Sequence, residues 1–170
     1  MSLEMYVCKI RADLVGDRQV DVNLRRLAEQ AVGYTQPSLE QESKFTKDER
    51  EKETAKHFAA WKKIEDEDIL DMDFWHWNSF GHLNGWMKHL YYEKCGIDEY
   101  FNACSVRLTL EDLERLKGDI QENRIRQLKY FFDLYDESFP QHFESAFEFI
   151  QKASELLEDD THALFYVSWW

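Results

Sequence analysis

Two segments near opposite ends of the chain constrain the fold more than anything between them. Met5-Tyr6-Val7-Cys8-Lys9-Ile10 and Ala163-Leu164-Phe165-Tyr166-Val167-Ser168-Trp169-Trp170 are both rich in β-branched and aromatic residues, and both read as strands. A lone strand leaves its backbone donors and acceptors unpaired, so each needs a partner. The simplest solution places 5–10 beside 163–169. The expected architecture is a mainly helical α+β domain with a small sheet pairing the N- and C-terminal strands, formed by residues 1–170 as a single unit. With two prolines and six glycines, punctuation is sparse and long helices are favoured.

The middle of the chain supplies those helices. Asp21 is an N-cap candidate for a helix with Leu24, Leu27, Ala28 and Ala31 on one stripe, and Gly33 stands where a C-cap is wanted. Residues 34–44 are polar and read as a loop. Thr46 and Glu49 have capping-box spacing, Asp48 and Lys52 pair at i,i+4, and Ala55, Phe58, Trp61 and Ile64 mark an inner stripe. Residues 65–73 carry six acids and no base; without the EF-hand order of ligands they read as a solvated connector. A helix resumes near Ser79, with Phe80, Leu83, Met87, Leu90 and Tyr91 inward and Gly96 closing it. Residues 100–108 suggest a short extended piece. Thr109 caps another helix with Leu113, Leu116, Ile120 and Leu128 inside, and the chain turns between Asp136 and Pro140. The clearest periodicity is the last: Phe143, Ala146, Phe147, Ile150, Ala153 and Leu157.

Charge and cysteine content narrow the function classes. Lys plus Arg total 21 against 34 Asp plus Glu, a net charge of −13 that repels phosphate backbones, so no direct nucleic-acid binding is expected. Cys8, Cys95 and Cys104 are odd in number and lack CxxC spacing, and no apolar run approaches the roughly 18–20 residues a bilayer requires. A cytoplasmic protein with reduced thiols and no membrane association is expected. Residues 1–4 are expected to be vector-derived, with Met5 near the natural start.

The densest candidate site is Phe74-Trp75-His76-Trp77-Asn78-Ser79-Phe80-Gly81-His82-Leu83-Asn84-Gly85-Trp86-Met87. Histidine is the commonest metal ligand, but His82 and His89 lie roughly 10 Å apart along a helix, too far to clasp one ion. His89 and Glu93, at i,i+4, are the pair able to chelate, one or two ligands short of a site. Trp75, His76, Trp77, His82, Trp86, His89 and Glu93 together form the candidate ligand-binding set. The opposing reading is that the aromatics fill the space between the terminal strands and the helix at 79–94. Trp169 and Trp170 are candidate interface residues. Neither Cys95 nor Cys104 has a sequence-local base. No Walker loop, GxGxxG or Gly-x-Ser-x-Gly occurs, and no cofactor is expected.

Three separated features resemble a family of small bacteriophage and prophage proteins. Met5-Tyr6-Val7-Cys8-Lys9 is similar to the MYLYK-like strand with which its members open. Trp77 and Trp86, with Leu83 between, keep the tryptophan spacing of the family's central helix motif. Leu164-Phe165-Tyr166-Val167-Ser168-Trp169 resembles its Phe-Tyr-Tyr-x-x-Ser-Trp ending. Gly81 and Asn84 stand where the family motif has Asn and His, and residues 40–70 have no counterpart in it. The resemblance implies a functionally uncharacterised accessory protein. A phosphoglycerate kinase label carried by some relatives does not suit a short, acidic chain without phosphate-binding glycines.

Two function classes follow. One is a non-catalytic, acidic protein-interaction module with a protein partner, a basic one suiting the charge. The other is a small-molecule or metal-dependent enzyme with an aromatic and histidine-lined cleft around residues 74–93.

Overall fold

The computed structural model describes residues 3–127 and 139–169. A four-stranded antiparallel sheet, order β2-β1-β4-β3, lies between two layers of helices. Its strands are β1 (Glu4–Arg11), β2 (Leu70–Asn78), β3 (Ser105–Leu108) and β4 (His162–Trp169). The terminal strands pair as their composition requires, in continuous register from Glu4↔Trp169 to Arg11↔His162, and they form the centre of the sheet. Leu3 and Glu4 belong to this structure: Leu3 is buried, its carbonyl accepts from Ser79 N at 2.8 Å, and Glu4 opposes Asn78.

Alternation along the strands separates two cores. Met5 and Val7 of β1, Leu164 and Tyr166 of β4, Val106 and Leu108 of β3 and Trp77 of β2 face one way. They pack under α5 (Gly81–Glu93), α6 (Leu110–Gln121) and α7 (Phe139–Leu157). Cys8, Ile10, Ala163, Phe165 and Leu70 face the other way, under α1 (Ala12–Val15), α2 (Leu24–Ala31) and α4 (Lys47–Asp66). The second cluster is smaller and mostly aliphatic.

Several sequence expectations are corrected. The acidic run 65–73 is not a connector: α4 continues to Asp66 and β2 begins at Leu70. Asp71 and Asp73 are compatible with a strand because β2 is an edge strand with those positions exposed. Its pairing jumps from Val7↔Trp75 to Lys9↔Asp71, so residues 72–74 bulge opposite Cys8, which blunts that edge against strand addition. The other edge is closed by the chain itself, since Arg107 N donates to Gln19 O at 2.7 Å and Asp21 N to Ser105 O at 2.9 Å.

Within 34–44, Ser38 and Gln41 form a capping box around a single helical turn, α3 (Leu39–Glu42). Asn23, not Asp21, caps α2; Asp21 adopts positive φ instead, and Ala31 faces solvent. Thr46 and Thr109 cap α4 and α6 as expected, each with a reciprocal capping box. The stripe of α4 is shorter than its periodicity suggests: Ile64 and Ala60 are buried, Trp61 is half-buried, and Ala55 and Phe58 are exposed. In α7 Phe149 rather than Phe147 is buried, turning the inner face slightly. Leu128, residues 136–138 and Trp170 lie outside the described residues. Gly96 does not serve by positive φ; Cys95 takes that conformation at +69°. Gly96 is small because the Tyr91 ring would lie 2.3 Å from any Cβ.

Candidate functional site

The structure distributes the seven candidate residues of 74–93 over both faces of the sheet. Trp75 and Trp77 do share a face, as an extended segment requires, but they pack on α7: Phe149 lies 5.8 Å from Trp75 and 4.9 Å from Trp77, centroid to centroid. The gap they fill is therefore between β2 and the last helix rather than between the terminal strands and α5. His76 points the opposite way, stacked on Tyr6 at 4.7 Å with Nε2 3.0 Å from Glu4 Oε2. Trp86 is buried; its Nε1 donates to Asp119 Oδ2 at 2.8 Å and Arg115 covers its ring at 5.0 Å. His82 is half-buried and His89 exposed. Glu93 is engaged by Arg115 at 2.7 Å, which weakens the His89–Glu93 chelate. Among the described residues no group of three or more His, Cys, Asp or Glu is placed to hold a metal ion.

Two atoms of this stretch stand out chemically. Trp77 Nε1 and Asn84 Nδ2 are buried donors without an acceptor among the described residues, although Asn84 Oδ1 accepts from Tyr166 OH at 2.8 Å. Buried donors are ordinarily satisfied by protein or ordered water. The stretch is thus chiefly core, with two donors available to something small.

A second constellation has no sequence-local signature, because three separate segments contribute to it. A trough of about 620 Å³ opens where α2, α3 and α4 meet, lined by Arg25, Tyr34, Phe45, Arg50 and His57 among others. Behind Arg25, Glu29 is only 4% exposed, and its Oε1 accepts from Arg25 Nε at 3.3 Å. Trp61 Nε1, which can only donate, lies 2.8 Å from His57 Nε2, and Arg25 Nη2 donates to the same nitrogen at 3.3 Å. His57 Nε2 is therefore an acceptor and its ring proton sits on Nδ1, a tautomer assigned from the network. The 3.6 Å between Nε2 and Glu29 exceeds hydrogen-bonding reach, so the Trp61 bond decides. Burial, with Glu53 beside its hydroxyl, raises the Tyr34 phenol above its ordinary range and keeps it a neutral donor. An imidazole wired this way offers a proton rather than a lone pair, which suits binding better than general-base catalysis.

The chain's acids converge elsewhere. Glu65 to Asp68 at the end of α4, Glu158 to Asp160 after α7, and Asp13 of α1 are all exposed. A groove of about 440 Å³ lined by Asp13, Glu67, Asp68 and Asp160 joins the three segments. Arg11, Lys9 and His162 answer part of the charge: Arg11 pairs with Asp13 at 2.7 Å, while Lys9 and His162 reach Asp68 at 2.5 and 3.3 Å. Beside this end, Phe58 is 69% exposed and Met72 44% exposed, next to Trp61 and Glu65. At the other end of the sheet, Trp169 is 54% exposed.

No family model, no curated protein and no solved structure matches the chain. No helix among the described residues is long and apolar enough to cross a membrane.

Proposed function

We propose that this chain is a non-catalytic, acidic protein-interaction module whose partner is a basic protein, in keeping with the phage- and prophage-type accessory role its resemblance implies. One observation carries the reading: acidic runs some ninety residues apart in sequence meet at one end of the sheet, beside exposed apolar side chains. An apolar patch rimmed by charge is the ordinary anatomy of a transient interface, and acids in excess select and steer a cationic partner. The bulged, acid-bearing edge of β2 argues for docking through side chains rather than by strand addition.

The test is affinity capture with the wild-type chain and a triple variant, Glu65→Lys, Asp66→Lys and Asp159→Lys, at low and high salt. A defined basic protein retained by the wild type, released by salt and lost by the variant supports the reading. An identical bound set for both chains, or binding indifferent to salt, counts against it.

The enzyme reading retains one favourable observation, the unsatisfied donors Trp77 Nε1 and Asn84 Nδ2 inside the 74–93 stretch. A small oxygen-bearing ligand seated on them would protect both groups from hydrogen exchange. Unchanged exchange at both sites in the presence of a metabolite and divalent-metal panel removes that support.

A further inference from the structure

We propose that the trough between α2, α3 and α4 binds a small zwitterion of amino-acid type, its ammonium held by Glu42 and its carboxylate by His57 and by Arg50 two turns away on α4, a gap of roughly 10 Å that the long arginine side chain spans and two histidines would not. This does not rest on the protein-interaction reading, which uses a different surface.

Charge is left over in the trough. Among the charged side chains lining the trough, Arg25 is paired with Glu29 at 3.3 Å and Glu53 with Lys56 at 3.1 Å. Arg50 and Glu42 line the same space and form no ion pair with any described residue, leaving one cation and one anion facing a shared cavity. A zwitterion satisfies both at once. A simple anion leaves Glu42 opposed by like charge, and a simple amine does the same to Arg50. Hydrogen-bond direction agrees: His57 Nε2 is occupied by Trp61 and Arg25, so Nδ1–H is the group left to donate, and a carboxylate is its natural acceptor. The apolar part of such a ligand has Phe45 and Leu39 to rest on, and Leu39 is 84% exposed at the rim.

The network beneath is built rather than incidental. Buried Glu29 orients Arg25, and Arg25 also lies over the Trp61 ring at 5.0 Å. Trp61 in turn fixes the His57 tautomer. Such a second layer holds recognising groups in place before a ligand arrives, which lowers the ordering cost of binding. A surface loop with no ligand has no need of it.

The experiment is an NMR titration of the full ¹⁵N-labelled chain with L-phenylalanine, phenylacetate and phenethylamine, following the Trp61 indole N–H and the amides of 34–57. The expected result is a saturable shift with phenylalanine, and binding weaker by roughly tenfold or more for each single-charge analogue. Arg50→Gln and Glu42→Gln, both conservative changes near the rim, should each weaken phenylalanine by a similar factor, that of one lost charge-assisted hydrogen bond. No saturable shift with phenylalanine overturns the proposal. So do analogues that bind as well as phenylalanine, or variants that bind it as well as the wild type.

Discussion

The two faces of the sheet are built on different terms. Under α5, α6 and α7 the side chains are large and sealed: Phe80, Tyr91, Phe101, Phe149 and Tyr166 are fully buried. The polar tips that enter there are mostly tied, Trp86 to Asp119, Tyr166 to Asn84 and Tyr91 to Asp21 at 2.8, 2.8 and 2.7 Å. Under α1, α2 and α4 the cluster is smaller, and its aromatic residue nearest the rim, Trp61, is half-buried with its nitrogen spent on His57. Beyond Ala60, the first three turns of α4 stand largely in solvent. One face supplies most of the buried apolar area, and therefore most of the stability. The other keeps polar groups at an open surface, where they remain available to a ligand.

The sealed face is most vulnerable at Phe149, which touches both Trp75 and Trp77. Phe149→Ala should cost about 3–5 kcal/mol by removing a buried ring and leaving a cavity, measured by denaturant unfolding. Ile64→Ala on the opposite face should cost about 2–4 kcal/mol, and its signature should be local: faster amide exchange through 47–66 while the sheet stays protected. Equal acceleration in β1 and β4 would mean that the two faces unfold as one.

Tyr91→Phe sharpens the picture of a sealed face. The hydroxyl donates to Asp21 and accepts from Ile97 N and Asp98 N at 3.2 and 3.1 Å. Its loss should cost about 1–3 kcal/mol and expose the 96–98 loop to exchange. Thr109→Ala should cost about 1 kcal/mol, because its cap partner Asp112 is buried and also bonded to Lys94. Thr46→Ala, at the solvated start of α4, should cost less.

The last effect is a pH dependence, confined to alkaline conditions. Burial, with Asp71 and Asp73 nearby, pushes the Cys8 thiol up from 9.0 to about 12. The unfolded chain then loses that proton first, so stability is intact below pH 9 and falls as pH climbs towards 12. Cys8→Ala should flatten that slope, and a slope unchanged by the substitution assigns it to other groups.

Much of this architecture is legible in the sequence where local chemistry and tertiary role agree. The terminal strands, the capping boxes at Thr46 and Thr109, and the periodicity of α7 each satisfy local and global demands together. β2 is hidden because Asp71 and Asp73 fall in its first half, and an edge strand with a bulge carries charges that a central strand would reject. Phe58 misleads because a helix lying half off its core keeps the helical spacing of a buried stripe without burying it. The trough is invisible for a different reason: Arg25, Tyr34 and the Arg50–His57 pair of α4 lie on separate segments, and no spacing rule connects them.

The central pairing of β1 with β4 also governs the order of events at the ribosome. β1 has its longest register with β4, across the 150 residues that separate Arg11 from His162. Until His162–Trp169 emerges, β1 has only β2 beside it, β3 has no partner strand, and each core has only half of its floor. Pairing across so long a stretch is slow to form, and the aromatic faces that pack on β4 stay uncovered until it joins.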